Sequence, residues 1–311
     1  MQKFILIVLS FLSLTSCLDE CDLFLSTDRG YIAIDVMIST YATKQYAYVR
    51  KSFDHTVTED SVNSYDWNYR NWLYFESVDC EIILIDEETK REYTYRREVD
   101  KRYTVEKYYV LDDFTAIVGR TYTVKVIYDG KVYQSTQTVR KAPKIDNVKF
   151  KPYETADEKE GKFRPFLYFA DPSPSEIDYC IFYDRDHHSG DCSYFDRTGY
   201  HVGYVPMTIY SDEGVKSAEG GIECSIGIGA YENEKNTGVG YSFNFEVLSI
   251  SKENYDFFVE LEKQITTDGG VYTPTPVTPP TNFSGEKVMG QFIATDIQIY
   301  RFETSDDNII K

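Results

Sequence analysis

Asp184-Arg185-Asp186-His187-His188-Ser189-Gly190-Asp191-Cys192 brings carboxylates, imidazoles and a thiol into one short stretch. Imidazoles would suit zinc or copper, and carboxylates would suit calcium. The spacing matches neither an EF-hand loop nor an HExxH helix. Adjacent histidines on a strand point to opposite faces, which weakens joint ligation. A plain polar loop is therefore the favoured reading. Asp184, Asp186, His187 and His188 remain weak metal candidates, and no cofactor is implied.

A second constellation spans Ser64–Phe75, inside a long loop at residues 54–75. Tyr65, Trp67 and Tyr69 alternate with Asp66, Asn68 and Arg70, and Trp72 and Tyr74 follow. Both tryptophans of the chain lie here. Flat aromatic faces beside hydrogen-bonding groups suit a sugar or a protein hot spot. A loop pinned by its own aromatics is the favoured alternative. Tyr65, Trp67, Tyr69, Trp72 and Tyr74 are still the best candidates for binding a ligand or partner. Nearby, Asp60-Ser61-Val62 resembles a short bacterial O-glycosylation sequon, with Ser61 as acceptor.

Signals for catalysis are thin. No GxSxG elbow, Walker loop or metalloprotease motif occurs. The four histidines, at 55, 187, 188 and 201, offer few general bases. A pair of carboxylates working as in glycosidases stays open, because the fold and not the sequence sets their separation. The six cysteines stand at 17, 21, 80, 180, 192 and 224, without a CxxC. Cys180 and Cys192 flank a polar loop and form one candidate disulfide, while Cys192–Cys224 and Cys21–Cys80 are alternatives.

The elements that would carry these residues read as strands. Ile32, Ile34, Val36 and Ile38 share one face of an extended segment, and Tyr122, Val124, Val126 and Tyr128 share another. Asp129-Gly130 between Tyr122–Tyr128 and Lys131–Thr138 predicts a type I′ hairpin turn. Further strands are expected at Cys80–Asp86, Arg91–Arg96 and Thr104–Val110. Lys141-Ala142-Pro143 marks a seam, beyond which strands follow near Ile145–Phe150, Phe166–Ala170, Asp178–Tyr183, Tyr204–Tyr210, Ile222–Tyr231, Gly240–Ile250 and Gln291–Phe302. One helix is predicted over 252–266. Ser251 caps it, Tyr255, Phe258, Glu262 and Ile265 form a stripe with Leu261, and Asp268-Gly269-Gly270 ends it. A proline-rich arm, Thr273–Pro280, comes next. The fold class is mainly β: an Ig-like β-sandwich at residues 27–143, then a second β-rich domain at 144–311 with the helix near the C-terminus.

The 311 residues carry 51 acidic and 33 basic side chains, a formal net charge of −18. Nucleic acid is excluded as a partner, because phosphate contacts need clustered Lys and Arg. At the N-terminus, Lys3 precedes an apolar run from Phe4 to Leu14, too short to span a bilayer and read as a signal sequence. Leu14-Thr15-Ser16-Cys17 looks like a lipobox, with signal peptide 1–16, lipid on Cys17 and a tether at 17–26. Acyl chains there would anchor the chain to a membrane. Leu18-Asp19-Glu20-Cys21-Asp22 resembles the acidic signal for display on the outer face of the outer membrane in Bacteroidota.

The ordered set of C-terminal motifs resembles a family. Tyr241–Ser251 leads into the helix, and Pro280-Thr281-Asn282-Phe283-Ser284-Gly285 precedes Val288-Met289-Gly290-Gln291-Phe292. Upstream stand Gly119-Arg120-Thr121-Tyr122-Thr123-Val124, Asp129-Gly130-Lys131-Val132-Tyr133 and Ala142-Pro143-Lys144-Ile145-Asp146. Together they are similar to the Bacteroidota surface lipoproteins known as domain of unknown function 4249. The resemblance implies a lipid anchor, an Ig-like first domain and association with a TonB-dependent transporter, and it brings no catalytic residues. The expectation is a non-catalytic, surface-exposed lipoprotein that binds or docks. A carboxylate-based hydrolase of glycan or peptide, and a structural or adhesive surface protein, are the alternatives.

Overall fold

A computed structural model of the chain describes residues 30–52, 75–100, 106–152, 162–173, 175–184, 207–213, 222–223, 228–229, 242–266, 278–305 and 307. Alternation drives the first domain. Ile32, Ile34, Val36 and Ile38 of β1 (Ile32–Ser39) are all buried, while Ala33, Asp35 and Met37 between them are half-buried. β1 pairs antiparallel with β2 (Gln45–Ser52), which pairs with β3 (Phe75–Ser77) and β7 (Glu106–Leu111), and β7 pairs with β6 (Arg96–Asp100). The facing sheet runs β5 (Glu92–Thr94), β4 (Glu81–Asp86), β8 (Thr121–Tyr128), β9 (Lys131–Thr138). One apolar core lies between them, with Ile34, Ile38 and Val49 meeting Ile82, Leu84 and Val124. Tyr122 is buried at the start of β8, and its hydroxyl accepts the Ile117 N–H at 3.2 Å, a tyrosine-corner arrangement found in Ig-like sandwiches.

The β8–β9 turn forms as its sequence demands. Asp129 and Gly130 both take positive φ, at 49° and 71°, and Tyr128 pairs with Lys131. The segment expected as one strand at Arg91–Arg96 is instead two. The chain leaves the β4 sheet at Tyr95, whose N–H still donates to Ile82 O at 3.0 Å, and enters the opposite sheet as β6. A crossing between sheets carries strand-like residues throughout, so composition does not betray it.

Beyond the seam, β10 (Ile145–Pro152) and β11 (Lys162–Phe169) form a sheet with β14 (Ile222–Glu223) and β15 (Ile228–Gly229). A second sheet runs β13 (Met207–Ser211), β12 (Tyr179–Asp184), β16 (Ser242–Ile250), β19 (Ile297–Glu303). Cys180, Phe182, Phe245 and Val247 face the first of these sheets, burying Val148, Phe150 and Leu167. The opposite face of the second sheet presents Tyr179, Ile181, Leu248 and Ile250 to helix α1 (Lys252–Thr266). Ser251 caps α1 by accepting the Asn254 N–H at 3.2 Å. Phe257 and Phe258 supply its buried face, with Tyr255 and Leu261 packed alongside. The chain is mainly β, with β-rich domains and one helix near the C-terminus.

Two short strands cross back between the domains. β17 (Val288–Met289) and β18 (Phe292–Thr295) come from the C-terminal stretch, yet both pair parallel with β1. All four β18 residues are buried, because Phe292 and Ala294 enter the sandwich core while Ile293 faces α1. Gly290 permits the approach. Its φ is 96°, and a Cβ there would stand 2.2 Å from Ile34 O. Asn282 receives the Phe292 N–H at 2.9 Å and donates to Phe292 O at 2.8 Å, acting as a one-residue strand partner. Buried Asn254 donates to Gln291 Oε1 and to Phe292 O, and Gln291 donates to Pro280 O at 2.6 Å. Asp296 interrupts what the sequence suggests is one strand over Gln291–Phe302. It is buried, and its carboxylate accepts from Thr40 Oγ1 at 2.6 Å, the Ala142 N–H at 3.0 Å and Gln298 Nε2.

Candidate functional site

Asp178 stands one residue before β12, in the register that sends Cys180 and Phe182 into the core. That register buries it: only 7% of its surface is exposed. Its backbone is held from the neighbouring strand. The Asp178 N–H donates to Asp212 Oδ1 at 2.8 Å, and the Asp212 N–H donates to Asp178 O at 3.2 Å. This continues the β12–β13 ladder one pair beyond Tyr179 and Ser211. Asp212 is thus placed by sheet pairing.

Asp171 arrives on the loop that joins β11 to β12. Its Oδ1 accepts the Ser173 N–H at 2.8 Å, and the Glu176 N–H closes on Ser173 O at 2.8 Å. This short polar turn folds the loop back towards β12. Arg140, at the seam between the domains, secures the same loop by donating to Glu176 Oε2 at 3.3 Å and to Ile177 O at 3.4 Å. Its guanidinium therefore serves Glu176 rather than the three aspartates.

Asp171, Asp178 and Asp212 each bring one carboxylate oxygen within 4.8 Å of the others. Among the described residues, Asp178 Oδ2 is buried with no hydrogen-bond partner. Burial pushes its acid up to about 6, and the charges of Asp212 and Asp171 add to the rise, while the Ser173 hydroxyl works the other way. A buried carboxylate between two others must hold a proton or acquire a cation. The donor set is all oxygen, which selects a hard cation over zinc or copper.

None of the three aspartates is among the residues singled out in the sequence. Tyr65, Trp67, Tyr69, Trp72 and Tyr74, the acceptor Ser61 and the lipid site Cys17 lie outside the described residues, as do Asp186, His187, His188 and Cys192. Asp184 is the last residue of β12, at the opposite end of that strand from Asp178. An extended strand rises about 3.3 Å per residue, so the two ends stand about 20 Å apart. Cys180 is buried within β12, between the two sheets of the second domain.

The aspartate cluster has no motif spacing of its own. One signal was readable: Asp178 occupies the inward register of a strand, where an acid must be accounted for. Asp212 gave none, because only the antiparallel pairing of β12 with β13 brings it near.

Among curated proteins, no sequence matches this chain. A family model described as domain of unknown function (DUF4249) matches residues 19–301. That span takes in both β-rich domains, the Asn282–Phe292 clasp and all three aspartates, so the chain belongs to the DUF4249 family.

Proposed function

We propose that the protein is a surface-exposed outer-membrane lipoprotein of the Bacteroidota type. It is held by acyl chains on Cys17 and acts as a non-catalytic binding or docking module beside a TonB-dependent transporter. The observation that carries this reading is the use made of the recurring C-terminal motifs. Asn282, Gly290 and Phe292 are engaged in clasping β18 against β1, and Gly285 packs on Tyr133 at 2.7 Å from its would-be Cβ. They build a scaffold and leave recognition to loops, where binding residues concentrate. The anchor reading is supported by Leu14-Thr15-Ser16-Cys17 and by a family match that begins at residue 19, just past it. Among the described residues no helix is long and apolar enough to cross a membrane.

The test is recovery from outer membranes in mild detergent. Wild-type protein is expected to bring a transporter barrel with it, and Cys17→Ala is expected to leave the membrane fraction. A solitary wild-type protein would remove the docking half of the reading. A Cys17→Ala protein still bound to membranes would remove the anchor half.

A further inference from the structure

The geometry points to a calcium site formed by Asp171, Asp178 and Asp212, which fastens the β11–β12 loop to the end of the β12–β13 hairpin. Two features of the cluster argue for it together. The first is the spacing of the oxygens, all within 4.8 Å of one another. Two oxygens bound to one calcium ion, each about 2.4 Å from it, stand at most about 4.8 Å apart, so oxygens this close can share an ion, and the flexible coordination of calcium tolerates their arrangement better than the strict octahedron of magnesium. The three carboxylates are therefore close enough to converge on one ion. The second is Asp178 Oδ2, which is buried and unpartnered among the described residues although its carboxylate belongs to this cluster. A carboxylate oxygen in that state lacks either a proton or a metal.

Among the described residues, no nearby cation fills the role. Arg140 reaches the same loop but donates to Glu176 and Ile177. Tyr210 lies beside the site on the strand side, and burial pushes its hydroxyl up to about 12, with the charges of Asp212, Asp171 and Asp178 adding to the rise. Three carboxylates give a site charge of −3 before the ion and −1 after it. Waters complete the coordination, as expected for a site of modest affinity. Affinity on the order of 0.1–1 mM belongs to calcium sites of extracellular modules.

The ion would act on loop order. The loop is tied to the domain seam at Arg140, whose carbonyl accepts from Ser249 Oγ at 2.6 Å, next to the buried Asp296. Calcium at the aspartates would add a second tie, joining Asp171 on that loop to Asp178 and Asp212.

The experiment uses the full chain in mild detergent, stripped with a chelator and titrated with calcium chloride or magnesium chloride while the unfolding midpoint is followed. Calcium is expected to raise the midpoint, with magnesium weaker. Asp178→Asn is expected to reduce calcium affinity about tenfold or more. Asp171→Asn, at the more accessible ligand, provides a second variant should Asp178→Asn fold poorly. Glu253→Gln, an exposed acid on α1, makes the same change in net charge and is expected to respond as wild type. The proposal is overturned if calcium has no effect on wild type, or if Glu253→Gln and Asp178→Asn respond alike, which would signal diffuse screening of an acidic chain. The reading concerns ion binding by the isolated chain, so its outcome is separate from membrane anchoring and docking.

Discussion

Asp86 and Asp178 are both buried aspartates at the ends of strands, 2% and 7% exposed, and their surroundings send them in opposite directions. Asp86 closes β4 in the first domain. Burial raises its acid, but the amides of Thr89 and Glu88 and the Arg120 guanidinium outweigh that and hold it below the usual carboxylate range. The bonds are 3.1, 3.0 and 2.8 Å. Asp178 stands just before β12 in the second domain and has two carboxylates for neighbours in place of amides and a cation. Its acid is pushed up to about 6. Burial alone therefore decides little. A satisfied buried carboxylate fixes a turn, and an unsatisfied one awaits a ligand.

Three measurements would break or sharpen this contrast. Asp86→Ala should cost the most, about 3 kcal/mol by chemical denaturation, because it strands two amides and the part-buried Arg120. A loss below about 1 kcal/mol would mean that the turn is held by other contacts.

The next effect is in the pH dependence, where the two sites should oppose each other. Asp86 has a folded acid below its ordinary 3.8, so its contribution is present above 3.8 and disappears as pH falls through the folded value. Asp178 has a folded acid above 3.8. Its folded form takes up a proton between 3.8 and about 6, so its contribution is most favourable below 3.8 and declines as pH rises to about 6. In chelator, subtracting the Asp178→Asn curve from wild type should leave a difference that falls across that window. A flat difference would show that the carboxylate stays charged throughout.

The smallest effect is Asp178→Asn itself at neutral pH without calcium. Removing an unpartnered buried charge should leave stability unchanged or raise it by about 1 kcal/mol. A large loss would place Asp178 in the same class as Asp86.

Much of the scaffold was legible. The alternation of Ile32, Ile34, Val36 and Ile38, the Asp129-Gly130 turn and the Ser251 cap each carry a local physical cause, and each appears in the fold. β2 was not legible. Its inward residues are Ala47 and Val49, while Tyr46, Tyr48 and Arg50 alternate with them, and Tyr48 and Tyr108 stack across the sheet at 6.1 Å. Aromatic rings on one register and aliphatic side chains on the other erase the contrast that alternation depends on. β18 was absorbed into a longer strand because both its faces are covered, so its four residues show no period either. The Asp184–His188 stretch drew attention because its chemistry is contiguous, whereas Asp171, Asp178 and Asp212 are scattered.

The sequence by itself determined the strands that alternate, the hairpin that needs two positive φ angles, the helix and its cap, and the membership of a family. Local sterics and hydrophobic periodicity suffice for these, because each involves residues close in the chain. Only the tertiary structure decided that β18 returns to β1, and that Asp86 finds Arg120 while Asp178 finds two other acids. The energy of a charge depends on distance and on the water that packing removes, and neither is written in the spacing of residues along the chain.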